Sequence, residues 1–155
     1  MLRMVSSAEI TRSATRIGQA CACFNVRKTA RVITQLYDEM LRSTGLRVTQ
    51  FSLLMATQGS ERVTVTRLAK MGVMDRTTLT RNLRPLEKQG LIRIAPGEDR
   101  RERQVTLTTR GQQVLAKALP LWEKAQARVA RGFGQERLQR LYTELADLRA
   151  ISRLS

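Results

Sequence analysis

Histidine is absent from this sequence of 155 residues, and cysteine occurs only twice. Without histidine the chain lacks the usual base of Ser-His and Cys-His catalysis and the commonest ligand of transition metals. Cys21 and Cys23 have no companions for a zinc site or a disulfide framework. Gly132 and Gly134 are expected to interrupt a helix and do not form a phosphate-binding loop. The sequence therefore argues against an enzyme and predicts no metal and no cofactor.

Long apolar runs are also missing. Glu9, Arg12 and Arg16 interrupt the first 26 residues, so we expect neither a signal peptide nor a membrane span. Cys21 and Cys23 stand two positions apart, point to different sides of a helix and do not readily pair. This cysteine usage is typical of a reducing compartment, and we expect a cytoplasmic protein.

Acidic residues are few. The chain has 28 Lys and Arg against 13 Asp and Glu, a formal net charge of +15. Residues 1–60 carry +5, residues 61–111 carry +6 and residues 112–155 carry +4. A charge spread in this way favours a folded basic surface over a disordered arm. Nucleic acid is the first candidate for its partner, and an anionic membrane surface is the alternative.

Hydrophobic periodicity predicts a mainly α protein with one small β-hairpin. The predicted helices span Val26–Leu41, Thr49–Thr57, Thr64–Gly72, Asp75–Gly90, Thr109–Val129 and Gln135–Ala150, and the predicted strands span Leu91–Ile94 and Gln104–Thr108. The middle region, about residues 46–109, has the order helix, turn, helix, hairpin that is typical of a winged helix-turn-helix domain. The flanking helices, about residues 8–45 and 110–155, carry apolar stripes that a second copy of the chain would cover, although a monomeric bundle is the alternative.

The helix that begins after Asp75 is the main candidate for DNA contact. Leu79, Leu83 and Leu86 are expected to face the core. The opposite side carries cations and hydroxyl groups without an acid among them, namely Arg76, Thr77, Thr80, Arg81, Arg84 and Lys88. Arginine can form paired hydrogen bonds with guanine, and threonine can contact a base edge or a thymine methyl. A solvated helix face is the alternative interpretation, but such faces usually mix charges of both signs.

Two further residues of this helix have separate predictions. Thr78 lies near the amino end, where its hydroxyl and backbone N–H could bind a phosphate. Pro85 removes a backbone hydrogen bond, and we expect either a kink at that position or a last turn bent toward the core.

The tip of the predicted hairpin is basic. Asp99, Arg100, Arg101 and Arg103 lie in a turn between the two strands. An arginine in such a wing can enter the narrow minor groove of A·T-rich DNA, and Asp99 could fix its guanidinium by a bidentate pair. Taken alone, the segment could equally be a generic charged turn; its place directly after a helix-turn-helix favours the wing.

These motifs resemble those of MarR-type transcription regulators. The segment Asp75–Leu83, continued by Glu87–Ile92, is similar to that family's recognition helix and first wing strand. Asp99-x-Arg101-x-x-x-Val105-x-Leu107-Thr108-x-x-Gly111 resembles its wing signature, and the likeness extends upstream to residues 34–37 and 46–51. The resemblance implies an obligate homodimer joined by its terminal helices that binds an inverted-repeat operator in double-stranded DNA. It also implies a repressor that is released by a small, often aromatic and anionic, ligand or by cysteine oxidation.

The signal to which such a regulator would respond is left open by the sequence. Cys23 stands where the peroxide-sensing branch of the family has its reactive cysteine, and Tyr37 matches a tyrosine partner of that branch. Two further tyrosines of that pattern are replaced here by Arg27 and Val48. Burial of both cysteines in a helix contact is the alternative. For an anionic effector the candidate contacts are Arg16, Arg27, Arg31 and Tyr37, although the three arginines could equally be charges on a dimer surface.

A non-specific architectural protein that binds DNA or RNA is the rival from another functional class. It would use the same basic charge and show the same strong salt dependence, but it would not distinguish one base sequence from another.

Overall fold

The computed structural model describes residues 6–59, 63–97, 99 and 102–151. In chain order the elements are α1 (Ser7–Ala20), α2 (Ala22–Leu41), a 3-10 turn (Arg42–Thr44), α3 (Val48–Gln58), β1 (Val63–Thr64), α4 (Val65–Met71), α5 (Arg76–Lys88), β2 (Ile92–Pro96), β3 (Arg103–Leu107), α6 (Thr109–Phe133) and α7 (Gln135–Ala150). This is a mainly helical fold with a small β-sheet wing, as the periodicity predicted.

The sheet has three antiparallel strands in the order β1-β3-β2. β2 and β3 form the predicted hairpin, with Ile92 opposite Leu107. β1 was not predicted, because two residues are too short to show an alternating pattern. It pairs with the far edge of β3, where Val63 lies opposite Val105, and both valines are fully buried. β1 thus ties the segment before α4 to the wing.

One apolar core holds the winged unit together. It is formed by α3, α4, α5 and the sheet, with contributions from the end of α2 and the first turns of α6; its fully buried members are Leu41, Leu54, Val63, Leu68, Leu79, Leu83, Leu86 and Val105. Phe51 of α3 stacks against Trp122 of α6 with a ring-centroid distance of 6.1 Å. The long helix α6 is therefore fixed to the winged unit by its first half.

The terminal helices are far less buried. α1 begins with a capping box between Ser6 and Glu9, yet it buries none of its side chains. Ile10 and Ile17 are 59% and 54% exposed. A helix needs an apolar partner to offset the entropy of ordering. Among the described elements, α1 makes its main contact with α2.

Several element boundaries differ from the prediction. Cys21 is the cap between α1 and α2 and is not inside a helix, so the argument that placed both cysteines on one helix was wrong. Gly132 lies inside α6, and the break falls at Gly134, whose φ of 93° suits glycine. The strands are shifted by one or two residues from the predicted ranges. The bounds of α7 are those that the leucine spacing predicted.

Candidate nucleic-acid interface

Caps define the two helices of the helix-turn-helix. The Thr64 hydroxyl accepts the backbone N–H of Arg67 at 3.1 Å and begins α4. The Asp75 carboxylate accepts the N–H of Thr78 at 2.9 Å and begins α5. Between them the backbone N–H of Met74 donates to the carbonyl of Ala69 at 2.9 Å, which closes the turn. Both caps had been expected from the sequence, since side-chain oxygens at these positions satisfy the free N–H groups of a first turn.

The turn itself contains a conformational exception. Val73 has a φ of 50°, in the left-handed region that β-branched residues rarely adopt. The Val73 side chain is 80% exposed, so its burial does not offset the free-energy cost of this backbone conformation. This feature was not visible in the sequence, where glycine or asparagine is the usual signal for such a conformation.

The two faces of α5 are separated as predicted. Leu79, Leu83 and Leu86 are each at most 1% exposed. All of the polar residues assigned to DNA contact are exposed, namely Arg76, Thr77, Thr78, Thr80, Arg81, Arg84 and Lys88. The leucines anchor the helix in the core of the winged unit, and the outward face is cationic.

The acid late in α5 has a structural role. The Glu87 carboxylate accepts the backbone N–H of Ile94 in β2 at 3.3 Å. Glu87 thereby joins the helix to the wing, and the outward cations are not paired with it. No local pattern predicts this contact, because it depends on how β2 packs against α5.

The donors of Thr78 are already occupied. Its backbone N–H and its hydroxyl both donate to the Asp75 carboxylate, at 2.9 and 2.6 Å. Chiefly through the Thr78 side-chain hydrogen bond, these contacts hold the pKa of Asp75 below its usual range. A phosphate would have to replace Asp75 to use the same donors, so the predicted phosphate contact remains a prediction.

Pro85 does not end the helix. α5 continues to Lys88, and the carbonyl of Pro85 accepts the backbone N–H of Gln89 at 3.0 Å. The proline lies in the last turn, where the loss of one donor interrupts only the end of the hydrogen-bond ladder. The predicted kink remains a prediction.

The wing extends from the sheet beyond Pro96 and Arg103. At its base the N–H of Gly97 donates to the carbonyl of Glu102, and that of Glu102 donates to the carbonyl of Asp99, both at 2.9 Å. Asp99 and Arg103 are exposed. Arg100 and Arg101, two of the four predicted wing contacts, lie outside the described residues.

A tight junction connects the wing to α6. The Thr108 hydroxyl donates to the carbonyl of Gly90 at 2.6 Å and accepts the N–H of Gly111 at 3.0 Å. The backbone N–H of Thr108 donates to the carbonyl of Leu91 at 3.1 Å. One threonine therefore caps α6 and holds the segment that follows α5, so the direction of the long helix is set relative to the DNA-contacting face.

A second feature is an apolar cavity of about 670 Å³ between α2, α3, α6 and α7. Tyr37, Val48, Trp122, Phe133 and Tyr142 are among its lining residues. Of the four side chains predicted to contact an effector, Tyr37 lines this cavity. The other three, Arg16, Arg27 and Arg31, are exposed and not part of its lining.

Tyr37 takes part in a hydrogen-bond chain across three helices. Its hydroxyl donates to the side-chain oxygen of Gln126 in α6, and the Gln126 amide nitrogen donates to the hydroxyl oxygen of Tyr142 in α7 at 2.8 Å. Burial, with a smaller contribution from Tyr142, raises the pKa of Tyr37. Cys23 is exposed in the first turn of α2, and the Cys21 sulfur accepts the N–H of Phe24 at 3.4 Å.

Two absences apply to the part of the chain that the structure describes. It contains no cluster of three or more histidine, cysteine or acidic residues able to hold a metal ion. None of its helices has the length and apolar content required to cross a membrane.

Comparison with known proteins decides the family. The MarR family model matches residues 44–102, the region from the 3-10 turn after α2 to the wing. A crystal structure of the M. tuberculosis transcriptional regulator MosR in complex with DNA is 40% identical, with a TM-score of 0.77, over 86% of this chain and 98% of that chain. The chain belongs to the MarR family.

Two further comparisons are consistent with membership of the MarR family. The HTH-type transcriptional regulator SarZ of Staphylococcus haemolyticus is 33% identical over 90 residues, and the match spans 61% of the length of SarZ. A mutant MarR from E. coli, solved with operator DNA, is 20% identical with a TM-score of 0.77 over 85% of this chain and 96% of that chain, which shows the same fold.

Proposed function

We propose that this protein is a homodimeric transcription regulator that binds an inverted-repeat operator in double-stranded DNA. The observation that carries the proposal is the outward face of α5, which exposes arginines, threonines and a lysine. Its one late acid, Glu87, bonds to β2. A cationic helix held by leucines on its other side fits the major groove, where arginine can distinguish guanine from other bases.

The closely related MosR supports this proposal, because its structure was solved in complex with DNA. The resemblance covers both the winged unit and the helices around it, so the geometry that presents α5 is shared. In such a protein the wing would follow α5 onto the neighbouring minor groove, where Arg103 at its base, together with the predicted contacts Arg100 and Arg101, would meet the DNA.

A homodimer accounts for the exposed apolar faces of the terminal helices. α1 buries no side chain, and apolar residues stay exposed on α1 and α7, among them Ile10, Ile17 and Leu148. A second copy packed against these faces would cover them and would set two α5 helices about 34 Å apart, one for each half-site. As a regulator the protein needs no catalytic group, and we propose no enzymatic activity for it.

Binding competition tests the proposal. A labelled duplex from the DNA beside its own gene is titrated with the protein in the presence of random duplex. We expect a preference for the specific site on the order of a thousandfold or more. A non-specific architectural protein would bind both duplexes equally well, and that result would overturn the proposal.

Substitution of Arg81 tests whether the outward face of α5 contacts the DNA bases. Arg81→Ala should weaken binding to the specific site by about 1–3 kcal/mol and relax the preference at one base position of each half-site. The control is Arg140→Ala, which removes the same charge from the exposed side of α7 and should change specific binding little. Equal weakening on every sequence would assign Arg81 to a phosphate, and no weakening would remove α5 from the interface.

A second candidate function is the sensing of an oxidant through a cysteine, because the Cys23 side chain is exposed. The protein would then lose operator affinity after treatment with an organic hydroperoxide, and Cys23→Ser would retain it. Unchanged binding of the treated wild-type protein would remove this candidate without affecting the DNA-binding proposal.

A further inference from the structure

The long helix α6 carries all of its cations on one side. Its basic residues are Arg110, Lys117, Lys124, Arg128 and Arg131, and each of them is exposed. Consecutive members stand seven, seven, four and three residues apart, and at 3.6 residues per turn these steps keep them within a sector of about 60°. We call this surface the α6 cationic stripe. It extends over about 30 Å, from the first turn of α6 to its last.

No acid of α6 neutralises the α6 cationic stripe. Glu123 is the one acid of this helix, and it stands one residue from Lys124 and five from Arg128. Side chains pair along a helix at a separation of three or four residues, so Glu123 faces another side. In the part of the chain that the structure describes, ion pairs are formed by arginines of other elements and by no member of the stripe. The stripe is therefore an exposed surface with one sign of charge.

This arrangement of charge is unfavourable for the protein alone. Lys124 and Arg128 stand four residues apart, Arg128 and Arg131 stand three apart, and like charges at these spacings destabilise a helix. A second copy of the chain would not relieve the repulsion, because it brings an identical stripe and the same net charge of +15. An anionic partner would relieve it.

The chemical character of the stripe favours duplex DNA as that partner. The cores of protein–protein interfaces are depleted in charged residues, whereas protein–DNA interfaces are much more positively charged. Single-stranded nucleic acid is bound by aromatic side chains on which the bases stack. The aromatic residues of α6, Trp122 and Phe133, line the cavity on the other side of the helix. The stripe thus offers contacts to a phosphate backbone and none to unpaired bases.

The stripe leads away from the DNA-contacting face of α5. Trp122 stacks on Phe51 and fixes the first half of α6 to the winged unit. From Trp122 to Phe133 the helix faces the cavity that α2 and α7 border, so Arg128 and Arg131 lie beside the terminal helices. A straight duplex in contact with α5 is not expected to run along them, and the stripe is left for a different segment of DNA.

We propose that the α6 cationic stripe binds the phosphate backbone of a second DNA duplex while α5 holds the operator. Contacts to phosphates carry no sequence information, so this second site accepts any duplex, and the protein bridges two segments of DNA. The inference rests on the proposed function for the first duplex alone. Contact between the stripe and DNA does not require a specific operator.

Capture of a second duplex by the full chain tests the inference. An immobilised duplex that contains the specific site is loaded with one dimer per site, so that every α5 helix is occupied. A labelled random duplex is then titrated at several salt concentrations. We expect capture at low salt that weakens as the salt concentration rises, because each phosphate contact releases counterions. Absence of capture at about 50 mM salt, where such contacts are strong, would overturn the inference.

Two triple variants with the same loss of charge separate the stripe from the overall positive charge. The stripe variant combines Lys117→Gln, Lys124→Gln and Arg128→Gln. The control variant combines Arg12→Gln, Lys28→Gln and Arg140→Gln, which removes one exposed cation from each of α1, α2 and α7. Each phosphate contact contributes about 0.9 to the slope of log affinity against log salt concentration. The stripe variant should lower this slope by about 2–3 for the second duplex, and the control should leave it unchanged. Equal slopes in the two variants would contradict the assignment to α6.

The first binding step reports separately on the proposed function. The stripe variant should keep the wild-type preference for the specific site, because α5 is intact. If the wild type shows no such preference but its binding of random duplex still depends on the stripe, the proposed function fails and the stripe contact stands. Poly-L-glutamate is the probe for an acidic protein partner. If it binds the stripe more tightly than duplex DNA at the same salt concentration, the inference fails and operator binding is unaffected.

Discussion

Gly111 is the residue that allows α6 to approach the wing. A Cβ atom at this position would lie 2.0 Å from the carbonyl oxygen of Leu91. The contact of α6 with the start of the wing therefore depends on the missing side chain, one turn after the Thr108 hydroxyl that accepts the Gly111 N–H and caps the helix. Any larger residue would have to push α6 away from the strand that follows α5.

Replacement of this glycine by alanine should be destabilising although alanine favours helices. We expect Gly111→Ala to lower the free energy of unfolding by about 1–3 kcal/mol, the usual cost of overpacking, as measured by urea denaturation. Gly132→Ala is the matched control in the same helix, since nothing lies within 4 Å of its Cβ position. It should raise that free energy by about 0.5–1 kcal/mol. Similar stabilisation by both variants would contradict the close contact at Gly111.

At the scale of the element, α5 depends on its first turn. The Asp75 carboxylate accepts both donors of Thr78, and its pKa lies below the ordinary value because these hydrogen bonds favour the charged form. A carboxyl with a lowered pKa in the folded state stabilises the fold above its unfolded pKa, and the stabilisation is lost as the pH falls through the folded value.

The cap of α5 should therefore be sensitive to acid. We expect Asp75→Ala to be less stable than the wild type near neutral pH, and the difference between the two to shrink as the pH falls below about 4, near the ordinary pKa of aspartate. Thermal unfolding measured at a series of pH values checks this. Asp147→Ala, which removes an exposed carboxylate from α7, controls for the change in net charge. A difference that persists unchanged at acid pH would show that the cap does not act through its charge.

Elements with a long repeating pattern could be predicted from the sequence, and elements fixed by distant contacts could not. The leucine spacing of α5 and α7 and the caps at Thr64 and Asp75 are local signals, and all four are present in the structure. β1 exists only because β3 lies beside it. The chain from Tyr37 to Tyr142 spans three helices, and no spacing in the sequence predicts it.

At the scale of the whole molecule, the unburied terminal helices indicate how two copies would join. Ile10 and Ile17 lie two turns apart on one face of α1 and are largely exposed. Burial of such side chains is worth about 1.5–3 kcal/mol each, so an interface that includes them would be sensitive to a single charge.

A charge on this face should separate the copies. We expect Ile17→Asp to shift the protein from dimer toward monomer in sedimentation equilibrium and to weaken operator binding in parallel, because one copy can occupy only one half-site. Arg12→Asp places the same side chain on another face of α1 and should leave the association unchanged. A wild-type protein that sediments as a monomer at micromolar concentration would contradict the homodimer.

Trp122 is the only tryptophan of the chain, and it stands between the winged unit and the cavity, stacked on Phe51. Its indole fluorescence therefore reports on one place in the molecule without an added label. A spectral shift produced by operator DNA would mean that contact at α5 changes the surroundings of Trp122 in α6. The wavelength of maximum emission, followed while the protein is titrated with operator DNA, would show whether binding at α5 changes the packing of α6 on the winged unit.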